Sequence, residues 1–441
     1  MTGLSEMSTN QKFLTGQAMI LAAGESSRFW PLNCRHKSLI KIMGKPLILY
    51  LIEALKKEGI KEILVIQGKK RDIEKELKKY EIKGINYVIQ PKPLGSGEAI
   101  LRIEKLVKDQ FFVFNSERID AKEYVKPILK KFNKLNRSGE NKPQLIISAG
   151  PTKTPWFFGI LKLKGDKVLD IVEKPKPGKE FSNLKITGVY FLPKEFFQYL
   201  KKVPVHPYSL EEALLNYAKK EDMRMVNIKK DTFALKYPWD LFEIKKYIFD
   251  NFLKRKIAKT AKIGKDVRIE GKVFIGEKTR IFEKAVIKGP CYIGNNCIIG
   301  NNAILREYTN IEDNNLIGAN AEVTRSIFQE NCQIHSGFFG DSIFGKSCLI
   351  GAGTITANVR VDRGEIKSMV KNNKIDTGLK SFGCVMGKNV RTGIHCSFMP
   401  GVFIGENSRI GPKTLISENV KENSLFYTKF QKIIKKNIRK S

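Results

Sequence analysis

The chain has 441 residues, a formal net charge of +34 from 79 Lys and Arg against 45 Asp and Glu, and a 42% hydrophobic composition. That length predicts two domains; no run is long and apolar enough to span a bilayer and the start lacks a signal-peptide core, so a soluble, cytoplasmic protein is expected. The positive excess favours polyanions, but Lys is dispersed and no aromatic-rich nucleic-acid motif accompanies it, so nucleic acid and membrane are not the expected partners. The seven cysteines form no CxxC pair, which points to free thiols in a reducing compartment, with Cys291 and Cys297 buried.

Residues 1–16 read as a disordered leader. From Gln17 the order is strand (AMILAAG), turn-rich loop, amphipathic helix (PLILYLIEALKKEG), strand (EILVIQG), helix over Lys70–Tyr80, strand (INYVIQ), helix (GEAILRIEKLVK) and strand (FFVFN). This alternation predicts a mainly parallel, doubly wound α/β domain over 17–232. The block LIISAG, FGILKLKGDKVLDIVEKP and KITGVYFL is richer in strands and extends the sheet. A linker helix follows over 233–256 (PWDLFEIKKYIFDNFLKRK).

From Ile257 the period changes to six. Ile257, Ile263, Ile269, Ile275, Ile281, Ile287, Ile293, Ile299, Leu305, Ile311, Ile317 and Val323 recur without a miss, each followed four residues later by a mostly small side chain. Neither a helix nor an alternating strand has that period; stacked coils of a triangular, left-handed parallel β-helix do. The hexads predict this domain over 257–420, with each branched residue pointing into the prism. The beat falters after Val323, resumes in SIFGKSCLIGAGTI, and is interrupted by a charged insert from Val359 to Leu379. Corners of a solenoid accept insertions, so chemistry is expected there. The basic tail 421–441 ends in KFQKIIKKNIRK, which reads as a short amphipathic helix.

The loop LAAGESSRFWPL, between the first strand and a helix, directs backbone N–H groups at a phosphate, and Arg28 adds a guanidinium fork. After it come Lys37, Gln90 with Leu94-Gly95-Ser96-Gly97, Glu173-Lys174-Pro175 and Gly188-Val189-Tyr190. In this order they resemble the sugar-1-phosphate nucleotidylyltransferases over Met19 to about Leu241. Joined to the hexads, the chain resembles the bifunctional nucleotidylyltransferase/amino-sugar acetyltransferases, especially the archaeal type. The resemblance implies that Ala23, Gly24, Arg28 and Lys37 hold the nucleoside triphosphate (UTP or dTTP), and that Gln90, Gly95 and Ser96 read its base. Gly159 and Glu173 would bind the sugar, and Mg²⁺ would assist attack of a sugar phosphate on the α-phosphorus. The family's metal-binding Asp falls on Glu117, after Ser116; its second metal position falls on Ala234, with Asp231 three residues away; the loop's second glycine is Ser26.

In the out-of-phase segment, IHSGFFGDS followed by IGAGTITAN resembles the family's acetyltransferase signature. The resemblance implies His335 as general base, Asn358 as a substrate contact, and Arg306, Arg325 and Lys380 as receivers of the sugar phosphate. Ala352, Gly393 and Ile394 would line the acetyl-CoA, at a face shared in a homotrimer. The family's Tyr is Phe338 here, its Asn is Leu349 and its Lys is Ser381. The expected activity is N-acetylation of an amino-sugar 1-phosphate together with nucleotidyl transfer to a sugar 1-phosphate. The alternative, from the same two-domain layout in non-catalytic relatives, is a regulatory or scaffold subunit. His335 separates the two, since a scaffold needs no base.

Overall fold

The computed structural model describes residues 16–137, 144–229 and 233–435. The expected leader (to residue 15), Asp231 and the end of the basic tail lie outside the described residues. The chain forms two compact units: Met1–Glu25 with Pro46–Ala234, and Ser26–Lys45 with Leu235–Ser441.

The first unit is built on a nine-stranded sheet. Its strands are β1 (Gln17–Ala22), β2 (Glu62–Gln67), β3 (Ile85–Ile89), β4 (Phe111–Asn115), β5 (Leu145–Pro151), β6 (Gly159–Lys164), β7 (Lys167–Glu173), β8 (Leu184–Leu192) and β9 (Met223–Asn227). The order is β3-β2-β1-β4-β8-β5-β9-β7-β6. The first four are parallel, and β8 runs antiparallel between β4 and β5. The near-continuous apolar runs of β1, β2 and β4 are what a doubly covered parallel sheet demands.

Six helices accompany this sheet: α1 (Leu47–Lys57), α2 (Asp72–Leu77), α3 (Ser96–Leu101), α4 (Lys122–Arg137), α5 (Phe196–Lys201) and α6 (Ser209–Ala218). Helix α3 is half the length its apolar pattern predicts, giving way to a 3-10 turn at Glu104–Leu106. Helix α4 buries Tyr124, Val125, Ile128, Leu129, Phe132 and Leu135, a stripe at helical spacing.

In the second unit three sheets of eight, nine and eight short parallel strands form the prism. The rungs from Ile275 to Val323 point inward and are essentially inaccessible, each worth about 1.5–3 kcal/mol of apolar burial. Ile257 and Ile263 remain 41% and 40% exposed, because no coil lies beneath the first one. Six of the seven cysteines, Cys291 and Cys297 included, are buried free thiols, and burial pushes Cys291 and Cys297 up to about 12.

The faltering beat after Val323 is a shortening, not an insertion. Leu305 pairs with Val323, eighteen residues on, whereas Glu322 pairs with Phe338, only sixteen on. The regular eighteen returns once Val385 pairs with Phe403. The charged insert contains an antiparallel hairpin, Lys367–Val370 with Asn373–Asp376.

Helix α7 (Asp240–Phe252) belongs to this unit, its Asp250 accepting from the Tyr308 hydroxyl at 2.8 Å. So does the strap Ser26–Lys45, whose backbone N–H groups at Lys41, Met43 and Gly44 donate to Gln329, Asn310 and Glu312. The tail departs from expectation: after the short strand Leu425–Phe426, residues 427–435 form no helix. An isolated helix of about a dozen residues is marginal in water, and Phe430, Ile433 and Ile434 are exposed.

Candidate active sites

The first site lies where four parallel strands end. The Gly24 loop follows β1, Gln90 follows β3 and Glu117 follows β4. Ligands collect at this carboxyl edge of a doubly wound sheet. Ala23 packs beside Gly68, and Gly24 is exposed with space where a Cβ would be. Gln90 is buried and donates to Gly95 O at 3.0 Å and Glu98 Oε2 at 2.7 Å, so its amide nitrogen is committed. Gly95 has φ +109°, and a Cβ there would sit 3.0 Å from His206 O and Pro207 Cα. That close approach seats Ser96 at the start of α3.

Gly159 and Glu173 are directly paired across β6 and β7, and a Cβ on Gly159 would lie 2.7 Å from Glu173 Oε2. Glycine is thus the residue that leaves room for that carboxylate. Glu211 approaches it from α6; burial and the Glu173 charge raise the Glu211 carboxyl above the usual range. One Glu211 oxygen is buried with no hydrogen-bond partner. Nothing in its local pattern, a surface-like helix position, marked Glu211 from sequence.

Glu117 is half-buried, with Ser116 Oγ donating to its Oε2 at 3.4 Å. Ala234 offers only a methyl group, and among the described residues no three His, Cys, Asp or Glu gather to hold a metal ion. This donor set does not fit a two-carboxylate Mg²⁺ site.

Arg28 and Lys37 are carried by the strap of the second unit. Lys37 Nζ donates to Leu235 O at 2.6 Å, and the Arg28 guanidinium stands 5.8 Å from the Tyr237 ring centroid. Asp240 anchors the same turn by accepting from the N–H groups of Lys236 and Tyr237. Burial raises Asp240 to about 6 despite those two donors and the nearby Lys37.

The second site is a corner of the prism. Residues following the aligned strands stack in one column, Gly264, Phe282, Gly300, Gly318, His335, Gly351, Gly393, Gly411 and Tyr427, with glycine on both sides of His335. A side chain at Gly318 would collide with the His335 carbonyl, and one at Gly351 with that of Gly393. The coils are therefore packed too tightly for any other residue at those turns, and the one imidazole in the column projects into open space. It borders a cavity of about 570 Å³ lined also by Ala319, Gly351, Arg391 and Thr392. Among the described residues the His335 ring has no side-chain hydrogen-bond partner. Ala352 lies on the next coil and accepts from His395 N at 2.7 Å, with Gly393 and Ile394 one coil further.

At the next corner of the prism, after the strands Glu322–Thr324 and Gly337–Gly340, is a part-buried polar network. Arg325, at φ +50°, binds Asp341 with two parallel bonds of 2.7 and 2.8 Å and reaches Glu307 at 3.2 Å. Asn358 donates to the same Asp341 at 2.6 Å. A Cβ on Gly340 would meet both the Asn358 amide and the Phe338 ring. The Gly-Asp step is thus explained: glycine admits Phe338 and Asn358, and Asp341 fixes two of the expected contacts. Arg306 pairs with Glu322 at 2.8 Å. Lys380 is exposed, two residues before Phe382, whose N–H donates to Asn358 O. Sequence reasoning missed Asp341 as an organiser although it stands inside the motif, because a lone Asp in a loop carries no spacing signal.

Two family models match the chain: nucleotidyl transferase over residues 17–240 and bacterial transferase hexapeptide over residues 260–307. The "Bifunctional protein GlmU" of Methanocaldococcus jannaschii is 32% identical over 431 residues, covering 95% of this chain and 99% of the relative. The protein of that name from Methanococcus maripaludis C5 is 34% identical over 426 residues, with the same coverage. A "Bifunctional sugar-1-phosphate nucleotidylyltransferase/acetyltransferase" of Sulfurisphaera tokodaii is 33% identical over 417 residues, covering 93% and 99%.

Proposed function

Since this chain belongs to the bifunctional sugar-1-phosphate nucleotidylyltransferase/acetyltransferase family, we propose that it makes activated N-acetyl amino sugars, with acetyl transfer at the His335 corner as its robust activity. The observation that carries this reading is the single imidazole in its column, flanked by Gly300 and Gly318 on one side and Gly351 and Gly393 on the other, facing a cavity of about 570 Å³.

The unprotonated His335 ring takes a proton from the amine of an amino-sugar 1-phosphate as the nitrogen attacks the acetyl-CoA thioester. The tetrahedral oxyanion collapses, the carbon–sulfur bond breaks, and the coenzyme A thiolate leaves. Ala352, Gly393 and Ile394 line the acetyl-CoA. Arg306 and Lys380 receive the sugar phosphate, while Arg325, already held by Asp341 and Glu307, positions Asn358 through the shared carboxylate. The exposed Ile298, Ile304, Ile355 and Leu415 on the prism faces support a homotrimer. No described helix is long and apolar enough to cross a membrane, and we place the protein in the cytoplasm.

For nucleotidyl transfer, a phosphate oxygen of the sugar 1-phosphate attacks the α-phosphorus of UTP or dTTP, and pyrophosphate leaves. Arg28, Lys37 and the Gly24 backbone neutralise charge; Gln90, Gly95 and Ser96 meet the base; Gly159 and Glu173 meet the sugar. With only a methyl group at Ala234, the family's second metal position, this is the slower reaction.

The test is a pair of assays on the purified chain: acetyl-CoA with glucosamine 1-phosphate or galactosamine 1-phosphate, and UTP or dTTP with sugar 1-phosphate and Mg²⁺. Acetylation that disappears in His335→Ala is the expected result. Silence in both assays would overturn the proposal in favour of the scaffold.

A further inference from the structure

The prism has a second glycine corner, and it lies beneath the strap. Residues following the aligned strands there are Gly276, Gly294, Glu312, Gln329, Gly345, Gly387 and Gly405. Glu312 and Gln329 grip the strap backbone: Gly44 N–H donates to Glu312 at 2.9 Å, and Gln329 both accepts from Lys41 N and donates to Lys41 O. Above them the column returns to glycine, and a cavity of about 450 Å³ opens between strap and prism.

Its chemistry is lopsided. Each of the three glycines is followed by a charged residue, Lys346, Lys388 and Glu406 in turn, all lining the cavity. Arg35 enters from the strap as a third cation, and Leu32 and Leu39 form an apolar floor. Lys346 is engaged by Glu330 at 3.1 Å. Lys388 is exposed to solvent and has no ion-pair partner among the described residues. Three cationic side chains and one carboxylate thus line a partly enclosed space of the size that holds small organic ligands.

We propose that this cavity is a binding site for a phosphate monoester, with the phosphate between Lys388, Lys346 and Arg35 and the organic body against Leu32 and Leu39. Two unlike features select this class: three cations suit a dianionic phosphate, and the apolar floor rewards more than a bare anion. The site is separate from the His335 corner, which lies in a different column of the same prism. An occupant touches strap and prism together, and so fastens the segment carrying Arg28 and Lys37.

Cys34 at the cavity's edge supplies the readout, because it is exposed while the other six cysteines are buried. Alkylation of the full-length protein by iodoacetamide, followed by mass spectrometry of the Cys34 peptide, is measured with UMP, glucosamine 1-phosphate, inorganic phosphate or neutral uridine. The expected result is protection by at least one monoester at concentrations up to ~10 mM, with weaker protection by inorganic phosphate and none by uridine. In Lys388→Glu the half-protecting concentration rises by about tenfold or more; an unchanged melting temperature shows that this exposed position leaves the fold intact. Lys346→Gln gives a smaller rise in the same direction. UMP against glucosamine 1-phosphate distinguishes a nucleotide from a sugar phosphate as occupant. Protection that is the same in Lys388→Glu as in the unaltered chain places the ligand elsewhere, and overturns the proposal. So does the absence of protection by any monoester.

Discussion

The sheet edge of the first unit and the prism corner of the second assemble chemistry in opposite ways. At the sheet edge each candidate group hangs from a different loop: Gly24 after β1, Gln90 after β3, Glu117 after β4 and Glu173 at the end of β7. Their positions depend on several independent close approaches, such as Gly95 against His206 and Gly159 against Glu173. In the prism one repeated turn supplies every position, and function is a local exception to the repeat. A glycine column leaves room, and His335 fills one rung of it. A loop-built site can lose one donor, as at Ala234, without disturbing the fold. A repeat-built site cannot lose its glycines without pushing coils apart.

The largest expected effect comes from that exception. His335→Ala should lower kcat for acetyl transfer by about 10²–10⁴-fold, the usual worth of a general base, while pyrophosphate release from UTP stays unchanged. Coenzyme A thiol release and pyrophosphate release, measured on one preparation, check both halves. A parallel fall in the two rates would mean the comparison fails and the units do not act separately. Next in size, Ile299→Ala in the filled prism should cost about 2–5 kcal/mol in denaturant unfolding. Ile263→Ala, on the half-exposed first coil, should cost no more than about 0.5 kcal/mol. Equal losses would show that the first coil is covered in solution.

How much of this was legible in the sequence differs between the units for the same reason. The prism could be read rung by rung, because each buried Ile or Leu has one inward direction and a fixed period. What could not be read was that the coils around and after Val323 are short by one or two residues, since a deletion and a loop both break a beat. The pairing of Glu322 with Phe338 distinguishes them. In the first unit the glycine loop and its companions were legible as ordered motifs. Helix α4 was not, because Pro127 and many lysines interrupt its stripe. The grouping of Ser26–Lys45 with the prism was also hidden: it rests on side chains nearly three hundred residues away, Asn310, Glu312 and Gln329, which have no local signature.

A third prediction asks whether the sheet-edge site is limited by its donors. If one carboxylate short is the reason for slow nucleotidyl transfer, Ala234→Asp should raise the rate of pyrophosphate release by about tenfold in Mg²⁺, and acetyl transfer should not change. A rate that stays the same would show that Glu117 and the cations already suffice, and would remove the contrast drawn between the two sites.

The smallest effect concerns the buried carboxylate that holds the strap. Glu312 is almost fully buried, and burial raises it to about 8, with Glu330 and Asp313 adding to the rise. The donors on it, Asn310 Nδ2 at 2.8 Å and Gly44 N at 2.9 Å, together with nearby Lys41, only partly oppose this. Its folded pKa thus lies above the unfolded value, so between about pH 4.5 and 8 the folded state keeps a proton that the unfolded chain has released. Stability from this group is complete below the lower limit and is lost as pH rises through the upper one, with a slope of at most ~1.4 kcal/mol per pH unit. Glu312→Gln keeps an acceptor for Gly44 and abolishes the titration. Urea unfolding of both proteins at intervals across that range should show a falling trend in the unaltered chain and a flatter one in the variant. Identical slopes would mean that Glu312 is ionised in the fold, held by Lys41 and its two donors, and that the strap is fastened by charge.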